Sequence, residues 1–347
     1  MNVIDRQQVA SYLELACEIS RSRCIIDAHV HASEIVFKRQ GLAHPPNRAV
    51  AVANRIEAPR IGAIREVGDV DLCCIADAVR NRSSEAMFTA AYQSGGSVSL
   101  SAHMQVSHVQ KALLLPVAPA FGPIDDQIEF LKGIRGNDPR FAIGYSLPRD
   151  VPTSDIAKVV RGAVDELAVK AVKLHPNLSG IDLDNVSERL RLYALLEACG
   201  DNGLPLVVHG GNSPILGGDA PARWASIQRL GRIDWGAGGG TVVIAHCGAY
   251  GCRQGEFASE IMPLLQTMLS KHERLAVDVS GLSSSIMMNV FKQIDHDRIL
   301  FGSDALYSPM WRAVAVVMHA IELSGAPLKE TFIRIACENP ALRLRML

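Results

Sequence analysis

The chain has 347 residues, 48% of them hydrophobic, which is enough for one large α/β domain or two smaller ones. Lys and Arg number 35 against 36 Asp and Glu, a net charge of -1, which excludes a general electrostatic attraction to nucleic acid or to an anionic membrane. The eight cysteines are scattered with no Cys-x-x-Cys pair, which argues against a disulfide framework and for reduced thiols in a cytoplasmic protein.

Met1 to Ser20 carries Asp5, Arg6 and Glu14 and has no long apolar run, so no signal peptide is expected. Apolar stretches stay short of the ~18 residues a membrane span needs. Eight short β-branched or apolar runs then follow, each ending in Gly, Pro, Asn, Asp or Ser. They begin near Ile25 (IIDAHVH), Lys111 (KALLLPVAP), Phe141 (FAIGYSLP), Ala171 (AVKLHP), Leu204 (LPLVVHGG), Thr241 (TVVIAHCG), Leu275 (LAVDVSG) and Ile299 (ILFGSDA). From the second run onward the starts are 24 to 37 residues apart, the length of a strand, a crossover helix and two loops.

Helical periodicity fills the gaps. It predicts helices over Ser97 to Gln110 and Asp125 to Arg135. Ser154 to Leu167 has Ile156, Val159, Val160, Val164 and Leu167 on one stripe, with an N-cap at Thr153-Ser154-Asp155. Ser187 to Cys199 carries Leu190, Leu192, Leu195 and Leu196, and Trp311 to Leu323 reads as a buried helix. Eight strands alternating with helices point to a (β/α)8 TIM barrel, here as one domain over residues 1–347. The first gap is too long for one helix. Residues 32–96, with Pro45-Pro46, seven arginines and a helical pattern around Arg80 to Tyr92, are expected to form an insertion, a lid over the barrel mouth.

Polar residues cluster at the ends of the runs, where a barrel of this kind places its chemistry. His29 and His31 end the first run. Lys173 and His175 lie on the fourth, His209 ends the fifth, His246 the sixth and Asp304 the eighth. His29 and His31 are two apart on a strand, so their side chains leave the same face and can reach one ion. A polar plug of hydrogen-bonded histidines is the competing reading of that pair. With His209 and Asp304 at matching ends, three imidazoles and one carboxylate make a catalytic transition-metal set. Zn²⁺ is expected first, with Mn²⁺, Fe²⁺, Co²⁺ or Ni²⁺ as the other candidates. Such a metal lowers the pKa of water toward about 7. Asp304 can bind it and also carry a proton.

Asp-x-His-x-His on the first run, Lys-Leu-His-Pro, Val-Val-His-Gly, Ile-Ala-His-Cys-Gly and Phe-Gly-Ser-Asp, in that order, resemble the amidohydrolase superfamily, and within it amidohydrolase family 2. Glu338-Asn339-Pro340-Ala341 is similar to that branch's C-terminal helix. The resemblance covers residues 24–31 and 97–347 and leaves out 32–96. It implies one metal on His29, His31, His209 and Asp304, with His246 holding the water or polarising the substrate. In relatives with two metals a lysine in the position of Lys173 is carbamylated and bridges them, so Lys173 is a further candidate ligand. His175, Asn212 and Arg253 are candidates for binding substrate, and Asn177, Ser213, Tyr250 and Tyr307 are weaker ones.

The function expected first is hydrolysis of a lactone, amide or ester of a small metabolite by metal-activated water. The alternative is metal-dependent, non-oxidative decarboxylation of an aromatic or unsaturated carboxylic acid. A TatD-like nuclease and a non-catalytic binding barrel rank below both. The expected partner is a small-molecule substrate, with no nucleic acid and no membrane, in a homo-oligomer.

Overall fold

The computed structural model describes residues 4–32, 97–117, 125–213, 220–305 and 309–346. The insertion expected over 32–96 falls almost wholly outside them, as do its arginines, Cys73, Cys74 and Tyr307.

Eight strands are present: β1 (Ile26–Val30), β2 (Lys111–Leu114), β3 (Phe141–Ser146), β4 (Ala171–Leu174), β5 (Leu206–Val208), β6 (Val242–Ile244), β7 (Leu275–Asp278) and β8 (Ile299–Leu300). They form one sheet in sequential order from β1 to β8, the arrangement of a (β/α)8 TIM barrel. The longer helices are α1 (Arg6–Ser20), α2 (Ser97–Val106), α3 (Asp125–Asn137), α4 (Ile156–Leu167), α5 (Val186–Asp201), α6 (Met262–Lys271), α7 (Ser284–Gln293) and α8 (Met310–Ser324). They are followed by the shorter α9 (Leu328–Ile333) and α10 (Asn339–Arg343). Apart from Asp27, His29, Lys173 and Asp278, the buried strand positions are mostly apolar, because parallel strands of this kind are covered on both faces. Residues 275–278 of β7 and 171–174 of β4 are buried throughout, Lys173 included.

The chain divides into two compact units. The first holds residues 1–113, 279–342 and 346–347. Its α1 was not anticipated, although Asp5 and Gln8 write a capping box: the Asp5 carboxylate accepts from Gln8 N at 2.8 Å and Gln8 Oε1 accepts from Asp5 N at 3.1 Å. The segment after β8 runs beside β1. Ala28 N donates to Phe301 O (3.0 Å), Asp304 N to His29 O (2.9 Å) and His31 N to Ala305 O (2.8 Å). Buried Asn339 opens α10 and donates through Nδ2 to the carbonyls of His296 and Ile299, both at 2.7 Å, which fixes the C-terminal helix at the start of β8.

The second unit holds residues 114–278 and 343–345. Here β3 to β7 pair in parallel, with Lys173 opposite Ser146 and Val207. α4 buries Ile156, Val160, Ala163 and Leu167, so Val159 and Val164 flank the stripe rather than lead it. Asp155 stands at its N-cap but makes no side-chain cap bond; residues Thr153–Asp155 form a single 3₁₀ turn instead. On α5 the side chain of Asn185 caps Ser187 N, and Leu192, Leu195 and Leu196 are buried, whereas Leu190 faces solvent.

Candidate metal centre and active site

In the first unit the ladder between β1 and the segment after β8 sets the register of three donors. His29 and His31 alternate with Val30, so both rings leave the same face of β1. Their Nε2 atoms are 3.1 Å apart. Asp304 Oδ1 lies 3.5 Å from His31 Nε2 and 3.9 Å from His29 Nε2. Two Zn–N bonds of 2.0–2.1 Å at a tetrahedral angle put their nitrogens about 3.3 Å apart, so these separations fit ligands around one small cation. All three side chains are buried. The donor set fits a divalent transition metal and not Ca²⁺ or Mg²⁺, which take oxygen ligands.

Backbone strain marks one member of this cluster, and two further groups hold it. Asp304 has φ 54, the left-handed region that a non-glycine residue adopts at a cost. Asp27, at the head of the Asp-x-His-x-His motif, is not aimed as a ligand alone: its Oδ1 accepts from His29 N (3.1 Å) and from Ser303 N (2.9 Å), clamping β1 to the turn that carries Asp304. Ser280 Oγ lies 3.2 Å from His29 Nδ1. Ser280 escaped the sequence reading; a serine two residues past a strand end carries no signal by itself.

In the second unit the imidazoles meet as rings. His175 stacks on His209 with centroids 3.8 Å apart and planes at 10°. His209 meets His246 edge-on at 4.9 Å, and the Tyr250 ring lies 5.3 Å from His209 and 4.6 Å from His246. His175 Nδ1 accepts from Leu178 N at 3.3 Å, capping the short helix Pro176–Ser179, so a neutral His175 carries its proton on Nε2. Lys173 is 1% exposed on β4, two residues before His175 and on the same face.

His246 (φ 56), Cys247 (φ 50) and Gly248 (φ 70) form a left-handed turn after β6. Asp278, the last residue of β7, holds it: Oδ1 accepts from His246 N at 3.0 Å and its carbonyl accepts from the Cys247 thiol at 3.3 Å. Asp278 also went unnoticed in the sequence, although an acid ending an apolar strand (LAVD) was its signal. Burial first, then Asp278 and Cys252, push the Cys247 thiol well up, so it is a protonated thiol and not a thiolate ligand.

Other candidates fall differently. Asn177 Nδ2 donates to the carbonyls of Pro221 (3.0 Å) and Ala222 (2.8 Å), which makes it a loop tie. Asn212 is half-buried, its backbone N bonded to Tyr250 O at 2.9 Å. Ser213 is buried, with its N bonded to Ala222 O at 2.9 Å. Arg253 is exposed at the start of the short helix Gln254–Glu256.

The amidohydrolase family model matches residues 26–344, nearly the whole sequence. This chain belongs to the amidohydrolase family. It is accordingly a metal-dependent enzyme of the amidohydrolase superfamily. No curated protein sequence matches this amidohydrolase. Among solved structures, 5-carboxyvanillate decarboxylase from Novosphingobium aromaticivorans, with manganese and 3-methoxy-4-hydroxy-5-nitrobenzoic acid bound, superposes with a TM-score of 0.60 at 14% identity, over 94% of this chain and 98% of that one. A 2,6-dihydroxybenzoate decarboxylase superposes with a TM-score of 0.56 at 11% identity, over 93% and 99%. The 4-oxalomesaconate hydratase of Rhodopseudomonas palustris gives 0.56 at 18% identity, over 93% and 96%. At these identities the likeness is one of fold. Among the described residues of the amidohydrolase, no helix is long and apolar enough to cross a membrane.

Proposed function

We propose that this amidohydrolase is a metal-dependent decarboxylase of a small aromatic or unsaturated carboxylic acid. The observation that carries the metal dependence is the convergence of His29, His31 and Asp304 at separations of 3.1–3.9 Å in a buried setting. His209 completes the ligand set in this reading. Zn²⁺ and Mn²⁺ are the metals to try first, since the donors suit both and the carboxyvanillate decarboxylase that shares the fold holds manganese. A bound metal supplies Lewis acidity to the substrate oxygens.

This chain's own residues supply the rest. Lys173 places a buried amine on β4, a group that can bind a substrate carboxylate. His175 offers Nε2–H as a donor. His246 is held by Asp278 in a fixed turn and polarises the substrate. Asp304 moves the proton: its carboxylate first takes one from water, then the C–C bond to the substrate carboxylate breaks, CO₂ leaves, and the electron pair left on carbon takes that proton, which returns Asp304 to the carboxylate. Two decarboxylases share this fold over more than nine-tenths of both chains, a likeness of fold that makes decarboxylation the first reaction to test.

Hydrolysis of a lactone, ester or amide is the second reading, favoured by the family match itself. There Asp304 would accept a proton from water and return it to the leaving group. The test is a screen of the Zn²⁺- and Mn²⁺-loaded chain against aromatic and unsaturated carboxylic acids and against lactones, esters and amides, with CO₂ and acid release followed separately. CO₂ without consumption of water supports the first reading. Acid release without CO₂ supports the second. A chain that binds metal but releases neither across both substrate classes sinks both.

A further inference from the structure

His29 has two ring nitrogens, and the fold gives them opposite surroundings. Nε2 lies 3.1 Å from His31 Nε2 and 3.9 Å from Asp304 Oδ1. Nδ1 lies 3.2 Å from Ser280 Oγ. Ring and hydroxyl are both 0% exposed. The segment bearing Ser280 is fastened to β8, because Val279 N donates to Leu300 O at 3.2 Å. Gly302 closes the remaining side: a Cβ built there would stand 2.7 Å from His29 Cβ and 3.1 Å from Ser280 Cβ. The backbone therefore leaves His29 and Ser280 little room to part.

A neutral imidazole carries one proton, and the nitrogen that binds a metal must be the other one. With Nε2 turned toward the donor cluster, the proton belongs on Nδ1 and needs an acceptor. We propose that Ser280 is the positioning residue that selects the metal-binding form of His29, its hydroxyl oxygen accepting the Nδ1–H so that the Nε2 lone pair faces the ion. This rests on the metal reading above and adds to it a residue outside the ligand set. Partners of this kind orient the ring and raise its basicity, and their loss weakens metal binding by roughly 10–100-fold.

The test uses the full chain and Zn²⁺ in competition with a chelating dye. Ser280→Ala is expected to weaken Zn²⁺ binding roughly 10–100-fold at unchanged stoichiometry. Ser280→Cys, close in shape but a poorer acceptor, should fall between it and the parent. In ¹⁵N-histidine spectra of the Zn²⁺-loaded parent chain, His29 should carry its proton on Nδ1, protected from exchange, and lose that protection in Ser280→Ala. An Ala variant that binds Zn²⁺ within about twofold of the parent overturns the assignment. A parent spectrum showing His29 bound through Nδ1 overturns it without any variant, so a poorly folding variant does not shelter it. If the parent takes up neither Zn²⁺ nor Mn²⁺, the metal reading falls and this assignment with it. If the parent binds, His29→Ala abolishes binding and Ser280→Ala does not, the Ser280 assignment falls alone.

Discussion

The two units solve one problem with the same backbone devices and different side chains. Each carries a key residue in the left-handed region, Asp304 at φ 54 in the first and His246 at φ 56 in the second. Each holds it with a buried strand carboxylate that accepts from backbone N–H: Asp27, near the start of β1, takes Ser303 N at 2.9 Å, and Asp278, at the end of β7, takes His246 N at 3.0 Å. Each places a glycine where a side chain would not fit, Gly302 against His29 and Gly210 against Gly248. The side chains then diverge. In the first unit two Nε2 atoms and a carboxylate oxygen converge edge-on, an arrangement suited to a cation. In the second the imidazoles of His175 and His209 stack face to face, with Tyr250 packed beside them. The difference is between donor atoms that meet in the first unit and rings that pack in the second.

The largest effect should come from removing the charge that the first unit holds. Asparagine tolerates the left-handed region better than most residues, so Asp304→Asn tests the carboxylate rather than the backbone. Turnover of whichever substrate the CO₂ and acid-release screen identifies should fall about 10³-fold, with melting temperature nearly unchanged. His246→Asn, at the matching backbone position, should cost about 10–100-fold if its ring only polarises the substrate. Equal losses would mean that the two halves do not divide the work as described.

The glycine pair comes next. In Gly302→Ala the new Cβ would meet His29 Cβ at 2.7 Å, and in Gly210→Ala it would meet Gly248 Cα at 2.6 Å and Ala245 O at 2.9 Å. Overpacking of this kind costs about 1–3 kcal/mol, so both variants should melt several degrees lower. Gly302→Ala should in addition weaken Zn²⁺ binding, because it displaces a proposed ligand directly. Gly210→Ala adjoins His209, and its effect on Zn²⁺ measures how strongly that histidine belongs to the ligand set. No change in Zn²⁺ affinity for Gly210→Ala would count against His209 as a ligand.

Strand starts at Lys111, Phe141, Ala171, Leu275 and Ile299 coincide with those read from apolar runs, because a buried parallel strand is one continuous apolar segment between turn residues. The run at Leu204 overshoots: Leu204 and Pro205 precede the strand, which starts at Leu206. His29, His31 and Asp304 were legible because unusual residues sit at strand ends. Ser280 and Gly302 were not, since one acts through a contact distant in sequence and the other through an absent side chain, whereas Asp278 carried a signal as an acid ending an apolar strand. Leu190 misled for the opposite reason: it fits the period of α5 but lies on its solvent face.

The two clamping carboxylates give a smaller, cleaner comparison. Asp27→Ala removes the acceptor of His29 N and Ser303 N, and Asp278→Ala removes an acceptor of His246 N. At ~1–3 kcal/mol for each buried donor left unsatisfied, both should be measurably destabilised in urea unfolding, Asp27→Ala at least as much as Asp278→Ala. Asn in either place keeps an oxygen acceptor and should recover much of the loss. A larger cost for Asp278→Ala would show that the left-handed turn at His246 depends on its clamp more than the turn at Asp304 does.

The smallest effect concerns Cys247, which sits in that turn beside His246. Its thiol donates to Asp278 O at 3.3 Å, and burial pushes it well above its ordinary pKa of 9.0. Burial pushes Cys199 in the same unit up to about 12, and Cys337 in the first unit also to about 12. A raised thiol pKa favours the neutral form in the folded state. The stability it contributes is complete below about pH 9, where the unfolded thiol is still protonated, and is lost as pH rises from 9 toward 12. At pH 8 these three thiols should therefore resist iodoacetamide while half-buried Cys17 reacts. Cys247→Ala should cost about 1 kcal/mol, the loss of one hydrogen bond and a little volume. If iodoacetamide instead labels Cys247 as fast as Cys17, the thiol ionises at the site, and a thiolate beside His246 would have to be added to the donors of the second unit.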